Sequence, residues 1–179
     1  MDIHMIIWLF PIIFMFHDFE EILMIEPWLI KNKERGNVMF QKISERLLSY
    51  TDSLTTASLS LGVAGMFILI CVITITAHLT EWYYLWFGVF FAFTFHLLIH
   101  CVPSFIFKSY VPAIITSVIS LPLCCYMIIL FLQGNKIDSM QMALLIIIGI
   151  VLLVATRLVM QVIMQKFSRW LRAYQSKEE

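Results

Sequence analysis

Runs of about 20 apolar residues, each set off by a short polar stretch, recur along the whole of this 179-residue chain. A run of that length matches the hydrocarbon thickness of a bilayer when wound as a helix. Lipid offers no partner to backbone N–H and C=O groups, so a spanning segment must be a helix or a strand of a closed barrel. The period-2 alternation of a membrane barrel is absent. The chain therefore reads as an all-α, polytopic membrane bundle, with spans expected at 3–30, 54–77, 82–102, 111–132 and 140–164. Composition agrees: 61% of residues are hydrophobic and 13% charged, against about half and a quarter in soluble domains. The connections are too short for a separate soluble domain, so residues 1–179 form one membrane domain. The first run lacks a basic leader and a small-residue cleavage site, which makes it a span rather than a signal peptide.

Charge sets the expected orientation. Lys31, Lys33, Arg35, Lys42 and Arg46 follow the first run, Lys108 follows the third, and Arg157, Lys166, Arg169, Arg172 and Lys177 belong to the fifth and its tail. Only Lys136 lies on the opposite side. This bias places the amino terminus outside and the carboxyl terminus in the cytoplasm. Net charge is zero and the basic residues sit at segment ends, which excludes a nucleic-acid-binding patch. Cys71, Cys101, Cys124 and Cys125 all fall inside apolar runs, two of them adjacent, and read as small buried hydrophobes rather than a disulfide framework.

One run is broken by polarity. His17-Asp18-Phe19-Glu20-Glu21 places four ionisable groups in five residues. Each carboxylate at bilayer depth costs about 2.5–3.5 kcal/mol on insertion scales. On a helix Glu20 falls about 60° to one side of His17 and Glu21 about 40° to the other, so the three share a face. Asp18 lies at its flank. A second polar pair, His96 and His100, sits in the third run at the i,i+4 spacing that aims two imidazoles at one point. The expected topology runs the first and third helices in the same direction. His17 and His96 then both lie about 21 Å from the outer end, and Glu21 and His100 one turn deeper.

Three imidazoles and a carboxylate suit a divalent metal, zinc first and iron second, with His17, Glu21, His96 and His100 as ligands. Glu20 and Glu21 are the candidate catalytic carboxylates, one of them a general base for an activated water. A metal-free version is open too, in which the two glutamates share a proton and one activates water. The resulting expectation is a membrane-embedded, metal-dependent hydrolase acting on a lipid, lipidated peptide or other amphiphile. The rival classes are a proton- or metal-coupled carrier and a non-enzymatic immunity or structural membrane protein. Arg157, the one basic residue inside a span, either pairs with a site carboxylate or snorkels to headgroups, the second being preferred. His4 and His78, at the outer edge, are given no role. Pro27 is expected to kink or end the first helix, 31–46 to form a polar helix or turn around Gly36, and 103–109 to be a loop. An amphipathic basic tail closes the chain.

His17-Asp18-Phe19-Glu20-Glu21 followed by Pro27-Trp28 resembles the HXXEE family of small bacterial integral membrane proteins. His100 and Tyr110-Val111-Pro112-Ala113, with Thr116 following, resemble that family's second block, where a Tyr-x-Pro-Gly-like turn is usual; Ala113 stands here in place of the glycine. The resemblance implies a bacterial cytoplasmic-membrane protein with His17, Glu20, Glu21 and one or both of His96 and His100 at its site. It supplies no substrate. Tyr110 joins Arg157 as an accessory candidate.

Overall fold

The computed structural model describes residues 2–33, 55–134 and 137–175, and the regular secondary structure within them is all helical. Five helices follow in order: α1 (Ile3–Lys33), α2 (Thr56–Thr80), α3 (Tyr84–Phe107), α4 (Ile114–Gly134) and α5 (Ser139–Gln175). By length and composition α2, α3, α4 and α5 can each cross a membrane. Helix α1 is long enough as well, at 31 residues, and carries the ionisable cluster among the others. The 31–46 expectation lies almost wholly outside the described residues.

Several ends differ from expectation for local reasons. Helix α1 continues through Pro11 and Pro27, α3 through Pro103 and α4 through Pro122. Pro27 therefore does not end the first helix, and Pro103 does not open a loop. A proline removes one backbone donor, a loss that neighbouring helices in a membrane bundle can make good. What stops α3 is Lys108, whose φ of 48° is left-handed and reverses the chain. Helix α2 starts on a reciprocal capping box, Thr55 Oγ1 accepting from Ser58 N and Ser58 Oγ from Thr55 N. The basic tail is no separate element: it continues α5 to Gln175.

Inside the bundle, one apolar cluster joins Ile7, Phe10 and Phe14 of α1 to Ile70 of α2, Trp86, Phe90 and Phe93 of α3, and Met127 and Phe131 of α4. Aromatic rings dominate the α1–α3 seam. Phe10 meets Trp86, Phe90 and Phe93 at centroid distances of 6.0, 5.1 and 5.4 Å. Helix α5 is held differently, by backbone approach: a Cβ on Gly149 would sit 2.0 Å from Gly88 O, and one on Gly88 would sit 2.3 Å from Leu145 O. Only glycine on both sides permits that crossing. The rest of α5 faces outward, with Ile147, Val151, Val154 and Leu158 each more than half exposed. Soluble proteins do not leave such a continuous apolar face in water; a bilayer solvates it.

The α1–α3 seam ends in polar residues, and there the site begins.

Candidate metal centre

Helix α1 presents His17 and Glu21 one turn apart, and α3 presents His96 and His100 at the same spacing. The two pairs face each other. One ligand atom from each of these four residues lies within 4.8 Å of all the others, the one such group of three or more among the described residues. Ring centroids of His17 stand 5.6 Å from His96 and 5.0 Å from His100, and those of His96 and His100 are 4.5 Å apart, all edge-to-face. The Nε2 atoms of His96 and His100 are 3.0 Å apart. Donors of a tetrahedral zinc site, at about 2.05 Å from the ion, lie about 3.3 Å from one another. One pair already meets that spacing, and the widest gap must close by about 1.5 Å to match it.

His17 is fully buried, yet its Nε2 has no hydrogen-bond partner. An orphaned buried polar atom costs about 1–3 kcal/mol, so its surroundings matter. Its Nδ1 lies 3.3 Å from Thr116 Oγ1, and that hydroxyl is 2.6 Å from Glu20 Oε2. A threonine hydroxyl has one proton, and an ionised carboxylate can only accept. Thr116 therefore donates to Glu20 and accepts from His17 Nδ1–H. This fixes the tautomer and leaves the lone pair on Nε2. Orientation of a ligating imidazole through its other nitrogen is the ordinary outer shell of a metal site.

Glu20 does not join the imidazoles. It turns to the amino-terminal end of α4 and accepts from Tyr110 Oη (2.9 Å), Ile115 N (3.2 Å), Thr116 N (2.7 Å) and Thr116 Oγ1. The first-turn amides of a helix are orphan donors carrying partial positive charge, and this carboxylate from another helix satisfies them. With four donors engaged, its lone pairs are occupied by structure rather than held ready for a proton. Glu21 stays among the imidazoles. Glu26, on the far side of α1, receives a hydrogen bond from Thr56 Oγ1 of α2.

The turn between α3 and α4 is tied down at several points. Trp28 Nε1 donates to Tyr110 O at 2.8 Å, and Ser104 Oγ to Ser109 O at 2.9 Å. Burial, then the hydrogen bond to Glu20 and its charge, push the Tyr110 phenol above its ordinary range. Ala113, fully buried, adopts a left-handed φ of 69° so that α4 can start under Glu20. Arg157 is exposed on α5. From there its charge acts through space on Asp18, which is 6% exposed, and on His96.

The two blocks that stand some 80 residues apart in sequence are thus one spatial unit. His17 touches His100 and Thr116; Glu20 touches Tyr110 and Thr116; Trp28 touches the Tyr110 carbonyl. A family model described as a protein of unknown function with HXXEE motif matches residues 8–127. The chain belongs to the HXXEE family. No curated protein and no solved structure matches it. In this HXXEE protein the motif's first residue, His17, and its last, Glu21, enter the four-residue cluster, while Glu20 builds the outer support. Sequence reasoning placed Tyr110 only as an accessory and gave Thr116 no role. A carboxylate capping a helix from elsewhere in the chain leaves no local signature.

Proposed function

We propose that this HXXEE protein holds one divalent transition metal, zinc or iron, between α1 and α3, and uses it to hydrolyse an amphiphile within the membrane. The observation that carries the metal reading is the buried, partnerless Nε2 of His17, aimed by the Thr116–Glu20 relay towards His96 and His100. The imidazoles of His17, His96 and His100 would hold the ion. When bound, such an ion lowers the pKa of a coordinated water towards neutrality. Glu21 would accept the proton of such a water, and Arg157 would supply positive charge through space. The cluster lies within apolar helices at bilayer depth, so the substrate is one that partitions into lipid: a lipid ester or a lipidated peptide. With the amino terminus outside, as the lysine and arginine count asks, the site lies nearer the cytoplasmic leaflet.

Protein purified in detergent without chelator should retain one ion per chain through desalting. The well-folded His17→Ala and His100→Ala variants should lose it. A wild-type protein without metal would overturn the metal reading. Glu21 decides the chemistry. With Glu21 as base, Glu21→Gln keeps the ion and loses turnover of fluorogenic lipid esters or lipopeptides. A second reading rests on the number of donors: four protein ligands can close a purely structural shell. In that case Glu21→Gln loses the ion, and the wild type turns over nothing in either panel.

A further inference from the structure

A second pair of imidazoles meets at the opposite end of α1. His4 Nδ1 and His78 Nδ1 are 3.0 Å apart, joining α1 to the last turn of α2. Their rings are edge-to-face at 4.8 Å, and Trp8 packs edge-on against His78 at 6.0 Å. Two nitrogens held about 2.05 Å from one ion lie about 2.9 Å apart at a right angle and about 3.3 Å apart at the tetrahedral angle. The observed separation falls between these. It equals the Nε2–Nε2 distance of His96 and His100 in the centre described above.

The surroundings favour a cation. Asp2, whose carboxylate accepts from His4 N at 3.4 Å, sits within a turn of His4, and Glu81 follows α2 directly at a left-handed φ of 55°. Both carboxylates reach the same neighbourhood: after burial, they are what raises the nearby Tyr83 phenol above its ordinary range. His4 and His78 are only partly buried, so an ion and its remaining waters can approach from outside the bundle. Thirteen helical residues, about 20 Å, separate His4 from His17, so the two pairs cannot share an ion.

We propose that His4 and His78 form a second transition-metal site, taking Zn²⁺ or Cu²⁺ with two imidazoles and completing the shell with water. Two protein nitrogens hold less tightly than four donors. This ion therefore exchanges freely and is stripped by desalting, and it staples α1 to α2.

The test uses the full chain in detergent, with Cu²⁺ as probe. In a His17→Ala/His100→Ala background, which removes two of the three imidazoles of the inner cluster, one Cu²⁺ should bind per chain with an electron paramagnetic resonance spectrum showing two nitrogen donors. Adding His78→Gln should remove that signal and weaken binding at least tenfold, and His4→Gln, on the other helix, should do the same. Circular dichroism and gel filtration establish that each variant is folded. A Cu²⁺ spectrum unchanged by either substitution overturns the site. So does wild-type protein that takes up no ion beyond the inner one, which leaves a plain N–H···N bond between the rings. The background leaves His96 as the one imidazole of the inner cluster, so a two-nitrogen spectrum there does not come from that cluster, whether or not it holds metal in the wild type.

Discussion

Thr116→Val removes one oxygen and little else, since valine has nearly the same shape. That oxygen stands between Glu20 Oε2 at 2.6 Å and His17 Nδ1 at 3.3 Å. Glu20 keeps three of its four donors, among them Thr116 N at 2.7 Å, so the start of α4 should survive. A charge-assisted hydrogen bond is worth about 1.5–3 kcal/mol, which bounds the loss of stability. The larger consequence falls on His17. Without an acceptor for Nδ1–H, either tautomer becomes accessible and the ring is free to turn. Loss of an outer-shell partner typically weakens metal binding about 10–100-fold, or about 1.4–2.7 kcal/mol. Competition against a chromophoric chelator in detergent should show zinc affinity falling by that factor, with helicity unchanged. Thr116→Ser restores the hydroxyl and should restore affinity to within a few-fold. Zinc binding unaltered in Thr116→Val, or not recovered in Thr116→Ser, would refute the orienting role of the relay.

Three other outcomes follow from features outside the imidazole cluster. Gly149→Ala places a methyl 2.0 Å from Gly88 O; overpacking against backbone should cost about 1–3 kcal/mol, read as a lower melting temperature in detergent, whereas Gly134→Ala, with nothing within 4 Å of its Cβ, should show no such clash. Ala113→Gly relieves the left-handed φ of 69° and should stabilise by about 1 kcal/mol, with an unchanged or lower melting temperature as the contrary result. The Tyr110 phenol is held above its ordinary range by burial and by Glu20. Its folded state therefore binds the proton more tightly than the unfolded chain. That contribution is full below the ordinary tyrosine range, about pH 10, and fades as pH rises above it. Wild type should lose more stability than Tyr110→Phe when pH is raised through this window, and parallel curves would remove Tyr110 from the account.

The bundle and the convergence of four polar residues were legible in sequence for one physical reason: lipid penalises what water tolerates. A histidine pair or three carboxylates in a soluble helix would be ordinary surface, but within apolar runs each needs a partner. Equal depth on parallel helices then brought His17, Glu21, His96 and His100 together. Glu20 and Glu21 could not be separated that way, because a 40° or 60° offset from His17 leaves both near one face. Only the position of α4 decides that Glu20 caps a helix and Glu21 faces the imidazoles. Prolines misled for a related reason. Pro27 and Pro103 break helices in water, and here α1 and α3 carry on through them. His4 and His78 gave no signal at all, since nothing local relates the start of α1 to the end of α2.

The hydrogen bond between Glu20 and the Thr116 amide spans 96 residues, and this separation has a consequence for biogenesis. A ribosome adding about 5–20 residues per second needs about 5–20 s to make that stretch. Throughout that interval α1 has been synthesised while the helix that neutralises its acidic face has not. The nascent α1 must wait beside the insertion machinery, in water, or in lipid with its carboxylates protonated. Chains truncated before α4 would strand it there, marked for removal by the same polar residues that complete the finished protein.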